Sequence, residues 1–226
     1  MAIATEQVVD LAETSLRELN QRLHDAQEGR FRVVNPNGEH AVACGIMAPL
    51  EVEIVGHVGY YCAGMNQRAD VRVRGNAGTG VAENIMSGSV VVEGNASQSA
   101  GATGRGGLVV IHGDAAARCG ISMKGVDIVV RGSVGHMSAF MAQRGRLVVC
   151  GDAGEALGDS IYETHVYVRG EVASLGADCV EKELRPYHVE ELRELLEQAG
   201  IDADPPDFRR YGSARKLYNF HVDNAY

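Results

Sequence analysis

Two carboxylates and a hydroxyl recur at one spacing: Asp114, Ser133 and Asp152 lie 19 residues apart, and Glu171 follows after another 19. If these positions stack on neighbouring strands, Asp114 and Asp152 stand ~9–10 Å apart. Two carboxylates at that distance can flank a water for glycosidic hydrolysis. Solvated side chains on an outer face account for the same residues. The chain has no tryptophan, its repeating segment is nearly free of aromatic residues, and its first ten residues lack the basic-then-apolar layout of an export signal. These three points weigh against a stand-alone carbohydrate-active enzyme. The eight histidines show no metal-ligand spacing, and the five cysteines form no Cys-x-x-Cys. Cys62 and Cys119 share a repeat position but sit three repeats apart, ~14 Å on stacked strands, too far for a disulfide or a common metal. Gly75-Asn76-Ala77-Gly78-Thr79-Gly80 is rich enough in glycine to suggest a phosphate loop. It opens no helix and lacks the dinucleotide order, so a tight corner is the better reading. No catalytic, cofactor-binding or metal-binding residue is assigned.

The spacing itself is the stronger signal. Val52-Glu53-Ile54-Val55-Gly56 returns six times, and the closing glycines Gly56, Gly75, Gly94, Gly113, Gly132, Gly151 and Gly170 are 19 residues apart throughout. Four residues before each glycine stands Val, Ile or Leu, two before stands Val or Ile, and two after stands Val or Ala. Short identical strands at a fixed period, joined by irregular Gly- and Ala-rich connections, stack as rungs of a parallel β-helix. The expected fold is all-β: a right-handed, single-stranded parallel β-helix of about seven 19-residue rungs, roughly 30 Å tall, with short helical terminal segments. A small residue seven positions after each glycine (Ala63, Ala82, Gly101, Gly120, Ala139, Gly158, Ala177) marks a tight corner.

The ends read differently. Thr5–Gln27 carries a helical apolar stripe with Thr5 as cap, and Asn35–Gly38 is a turn between two short apolar runs. This segment, 1–50, caps the repeats or offers a helix to a partner. The repeat domain spans 51–180. In 181–226, a helix ending at Gly200 precedes an arm that holds six of the chain's twelve aromatic residues in 187–226, interleaved with arginines. Tyr- and Arg-rich segments anchor interfaces, so the arm docks on its own β-helix or on a neighbour.

Strand alternation turns Val91, Val110, Val129, Val148 and Tyr167 outward, an apolar stripe where polar residues belong. Either a terminal segment or another subunit must cover it. These five residues, with Arg215, Tyr218 and Phe220 of the arm, are the candidate partner interface. Asn76 and Asn95, stacked one step after their glycines, suggest an amide ladder. A net charge of −9 argues against nucleic-acid or anionic-membrane surfaces. No apolar run is long enough to span a bilayer, and scattered thiols fit the cytoplasm.

The glycine-anchored rungs resemble the carboxy-terminal GXGXG β-helix domain of glutamate synthase large subunits, shared more distantly with a formylmethanofuran dehydrogenase subunit. The leader (Leu16–Asn20 and Val52–Tyr61) and tail (Gly212–Phe220) resemble the β-helix subunit of N-methylglutamate synthases, the methylamine–glutamate N-methyltransferases. The resemblance covers essentially the whole chain. It implies a non-catalytic scaffold in a hetero-oligomer that turns glutamate and methylamine into N-methylglutamate and ammonia. An amidotransferase-like subunit and a glutamate-synthase-like subunit carrying FMN and an iron–sulfur cluster would be its partners, with no cofactor on this chain. The same resemblance leaves open a β-helix subunit of another oxidoreductase.

Overall fold

A computed structural model of the chain describes residues 6–216. Nine parallel strands follow one another in a single ladder: β1 (Gln7–Asp10), β2 (Gly29–Val34), β3 (Leu50–Val55), β4 (Asp70–Arg74), β5 (Ser89–Val92), β6 (Leu108–Ile111), β7 (Lys124–Val130), β8 (Arg144–Val149) and β9 (His165–Val168). From β3 to β9 the register advances by one repeat per rung, Val52 opposite Val71, then Val90, Val109, Ile128, Leu147 and Val166. The repeat is therefore a parallel β-solenoid of about seven turns. A second line of contact runs beside the sheet, where Val58, Ala77, Ala96, Ala115, Val134, Ala153 and Val172 bridge from rung to rung. These are the residues two after each glycine, and with the inward strand positions they form the long core.

The ladder begins below residue 51. Phe31 pairs with Val52 and Gln7 with Phe31, so β1 and β2 add two strands to the low end. Their side chains fit the rung pattern, but the step from Phe31 to Val52 is 21 residues, which hid them from a period of 19. The expected helix over Thr5–Gln27 is corrected accordingly. Thr5 lies outside the described residues, Gln7–Asp10 is strand, and the helix α1 spans Leu16–Asp25. Its cap is Ser15, whose Oγ accepts from the Glu18 N–H at 3.2 Å. α1 closes the low end of the core: Leu19 and Leu23 are fully buried, and Asn20 bonds the Ala41 carbonyl at 2.9 Å and the Ala43 N–H at 3.0 Å.

At the high end the ladder changes direction. β10 (Cys179–Lys182) is followed by α2 (Pro186–Gln198), a 3-10 turn at Pro205–Asp207 and β11 (Arg209–Ser213). β11 runs antiparallel to β9, and β10 pairs with its other edge. α2 ends as its sequence implies, with Gly200 at φ +65° just beyond it.

The rung corner needs the left-handed region. Ala63, Ala82, Gly101, Gly120, Ala139 and Gly158 have φ between 52° and 69°. A glycine or alanine there keeps the side-chain penalty small in a buried turn. In the last rung Leu157 pairs with Leu175, one residue short of the repeat, so Asp178, at φ 63°, continues the position of Ser160, at 57°, and Ala177 does not take the positive φ.

The anchor glycines are fixed by contact. A Cβ on Gly94, Gly113, Gly132 or Gly170 would overlap a side-chain oxygen from the rung below, and a Cβ on Gly132 would also meet the Gly113 carbonyl at 2.7 Å. Gly132→Ala is therefore expected to cost about 1–3 kcal/mol, the range for overpacking. Urea unfolding checks this, and an unchanged midpoint would contradict the contact.

Candidate functional site

The outer column that could carry hydrolytic chemistry is a structural ladder. Asn76 Oδ1 accepts the Asn95 N–H at 2.8 Å, Asn95 Oδ1 the Asp114 N–H at 2.9 Å, and Asp114 Oδ1 the Ser133 N–H at 2.8 Å. Ser133 Oγ then accepts from Asp152 at 2.9 Å, and Asp152 Oδ1 from Glu171 at 2.8 Å. His57 starts the series, its Nδ1 accepting from Asn76 at 2.9 Å. The expected amide ladder is thus a side-chain-to-backbone ladder, indifferent to whether the acceptor is imidazole, amide, carboxylate or hydroxyl. Asp114 and Asp152 have an oxygen committed to it.

The glycine-rich run 75–80 is a rung corner. A Cβ on Gly75 would meet the Gly56 carbonyl at 2.5 Å, one on Gly78 the Gly59 backbone at 2.6 Å, and one on Gly80 the Tyr61 ring at 2.7 Å. Close stacking on the rung below, and the two tyrosines that project from it, account for these glycines. The cysteines are free; Cys62 and Cys119 are fully buried, and burial pushes the Cys119 thiol up to about 12. Among the described residues no three of His, Cys, Asp or Glu are grouped to hold a metal ion, and no helix is long and apolar enough to cross a membrane.

The predicted partner interface is corrected at its centre. Val110, Val129, Val148 and Tyr167 are buried, and what buries them belongs to the same chain. Leu192, Leu195, Leu196 and Ala199 of α2, with Ile201 and Phe208, form a second apolar cluster with them. Val91 is half-buried at its margin. Of the two possible covers the terminal segment is the one observed. The arm also docks on its own solenoid as far as it is described, with Tyr211 buried and Arg209 donating to the Gly170 carbonyl at 2.8 Å. Arg215 lies 4.0 Å from Glu163, and Tyr218 and Phe220 fall outside the described residues.

A polar cluster pins α2 above the stripe. Glu191 lies 3.3 Å from His165 Nδ1, accepts the Tyr167 hydroxyl at 3.4 Å, and sits 3.9 Å from Arg146. Arg146 in turn bonds Asp127. Burial opposes the charge on Glu191, yet His165, Arg146 and Tyr167 hold its carboxyl below the usual range. His188 is buried beside them; its Nδ1 accepts the Arg185 N–H at 3.1 Å. Desolvation, then Arg210 and His165, depress its pKa to about 4, against the opposing pull of Glu191.

A different surface remains uncovered. Tyr60 and Tyr61 are about half exposed, as are Met65 and Met86, and Met47 is 65% exposed. Backbone bonds place them on three successive turns near the low end: Gln67 N donates to the Ile46 carbonyl, and Met86 N to the Asn66 carbonyl. The Tyr60 ring stacks on His40 at 4.5 Å and meets Tyr61 edge-on at 6.4 Å. Sequence patterning passed over this patch because corners carry no alternation. The signal was the paired tyrosines in rungs otherwise poor in aromatics.

Comparison with known proteins gives one close relationship. The chain is similar to Protein GlxC of Rhizobium meliloti (strain 1021), 65% identical over 223 residues that cover 96% of this chain and 98% of that protein. No family model matches the chain, and no solved structure matches it significantly.

Two outcomes follow for the covered face. Phe208→Ala should cost about 3–5 kcal/mol in denaturant unfolding, as for a buried aromatic, and Val129→Asp should expose 183–213 to limited proteolysis in the isolated chain. Resistance equal to the parent would mean that α2 is held elsewhere. For His188 the folded pKa of about 4 lies below the ordinary value of 6.5, so the unfolded chain binds the extra proton. Its stabilising contribution is complete above about 6.5 and is lost as pH falls toward about 4. Tm measured across that window should decline in the parent and decline less in His188→Gln.

Proposed function

The chain belongs to the GlxC family, and from that premise we propose that it is the scaffold subunit of an N-methylglutamate synthase. It would hold an amidotransferase-like subunit against a glutamate-synthase-like subunit that carries FMN and an iron–sulfur cluster. Together these would convert glutamate and methylamine into N-methylglutamate and ammonia, with the chemistry on the partners.

The observation that carries this reading is the exposed corner formed by Met47, Tyr60, Tyr61, Met65 and Met86. Tyrosine and methionine are enriched at interface cores, and here five such side chains are exposed on three successive turns. Its support is stiff. Each rung is hydrogen-bonded to the next on both sides of the corner, with Tyr61 N to the Thr79 carbonyl at 2.8 Å and Ala63 N to the Val42 carbonyl at 2.9 Å. A surface held this way loses little conformational freedom on docking, which favours assembly. The GXGXG resemblance of the rungs, leader and tail supplies the identity of the complex.

The test is capture of partners by the tagged full chain. A Tyr60→Ser/Tyr61→Ser variant should keep the parent's Tm, since both side chains are about half exposed. It should retain at most about one-tenth of the captured glutamate-synthase-like subunit, the effect of losing an interface anchor. Undiminished capture would contradict the corner as the docking surface.

A further inference from the structure

The high end of the solenoid holds a cavity of about 480 Å³ that none of the scaffold reading uses. Thr164, Lys182, Arg185, Arg210 and Gly212 line it, with Glu163 the one carboxylate among its lining residues. A volume of this order is typical of small-molecule sites. Two features of its lining favour an anion, and a third leaves room for one.

The first is a pair of like charges. Lys182 and Arg210 are direct partners in the antiparallel β10–β11 pairing. Like charges opposite each other on adjacent strands destabilise the pair. Neighbouring carboxylates do not relieve it: Glu183 pairs with Arg185 at 3.0 Å, and Arg210 Nε donates to the Glu183 main-chain oxygen, also at 3.0 Å. Lys182 has no ion-pair partner among the described residues. In a chain of net charge −9, such convergence of cations is against the average.

The second is an orphaned hydroxyl. Thr164 is 1% exposed, and its Oγ1 has no hydrogen-bond partner. A buried hydroxyl left unpaired costs free energy, so such a group calls for a partner that supplies the missing bond. The third is space made by a missing side chain. A Cβ on Gly212 would lie 3.7 Å from Lys182 Cγ, 3.8 Å from the Thr164 carbonyl and 3.9 Å from Arg210 Nη1. The aliphatic stem of Lys182, the Thr164 carbonyl oxygen and the Arg210 guanidinium therefore border the spot that Gly212 leaves open. At the rim, α2 starts with no acidic residue in its first turn, so the positive end of its dipole is not offset there. Arg210 and His165 also help to keep the buried His188 uncharged, in keeping with a positive local potential.

We propose that this cavity binds a phosphate group, free or carried by a small organic molecule, between Lys182 and Arg210 with Thr164 beneath. An ammonium and a guanidinium approaching from two strands match a tetrahedral oxyanion of charge near −2 better than a planar carboxylate. Glu163, 4.0 Å from Arg215, would lie toward the rim and set the limit on where a second negative group can sit. The site does not depend on the subunit assignment.

The test uses the full chain and inorganic phosphate, titrated by calorimetry and followed by thermal shift against chloride at equal ionic strength. Saturable binding with a raised Tm is expected. Lys182→Gln and Arg210→Gln should each weaken it at least about tenfold, the loss of one charge-assisted bond. Gly212→Ala clears its neighbours by at least 3.7 Å, so it should fold and should weaken binding by occupying the floor. If Arg210→Gln fails to fold, the other two variants decide. A sugar phosphate that binds more tightly than inorganic phosphate identifies an organic carrier, and equal affinity identifies free phosphate. No stabilisation beyond chloride, or binding unchanged in both Lys182→Gln and Gly212→Ala, overturns the proposal.

Discussion

The whole structure depends on one hydrogen bond made again at every turn. The residue after each anchor glycine sends its side-chain acceptor up to the backbone N–H of the same position one rung higher. From Gly94 to Gly170 that acceptor lies where a Cβ on the next glycine would be, so there the glycine column and the polar column are one constraint seen twice. A shift of one residue would place a side chain on an oxygen and turn the inward valines out. The period of 19 is held by this corner together with the inward valines, alanines and isoleucines of the core.

The outward face of the sheet is divided between two solutions. On its lower rungs it is a lattice of exposed ion pairs, such as Arg30 with Glu51 at 2.8 Å and Arg72 with Glu93 at 2.9 Å. On the upper rungs it is apolar and lies beneath α2. Exposed pairs contribute little stability each, and their main effect is to keep an outer strand face soluble. Burial of valines, a tyrosine and a phenylalanine contributes far more, at roughly 25 cal/mol per Å² of apolar surface removed from water. The upper part of the broad face is thereby occupied by its own chain, while Tyr60, Tyr61, Met47, Met65 and Met86 stay exposed near the low end.

Much of this was legible from residue order because a solenoid repeats its interactions as well as its sequence. The seven strands, the inward columns and the left-handed corner follow from glycine, β-branched and small residues at fixed offsets. β1 and β2 were not legible as rungs because a step of 21 residues breaks the period while preserving the alternation of Phe31 and Val33. The leader's expected helix starts too early because Val8 fits the helical stripe and a strand alike, and only pairing with β2 selects strand. The stripe of Val110, Val129 and Val148 was visible as an anomaly, and α2 was visible as an amphipathic helix. That one covers the other is a long-range fact that no local pattern states. β11 escaped because its five residues, Arg209–Ser213, carry no alternation. Tyr60 and Tyr61 stand in a corner, where patterning predicts a shape and not an exposure.

The scaffold role is tested most directly by isolating the tagged chain from its native host and recording the absorbance of what comes with it in the flavin region. Large, flavin-coloured partners, in a complex that turns over methylamine and glutamate, are the result expected of a scaffold subunit. A chain that elutes alone and colourless would contradict that role.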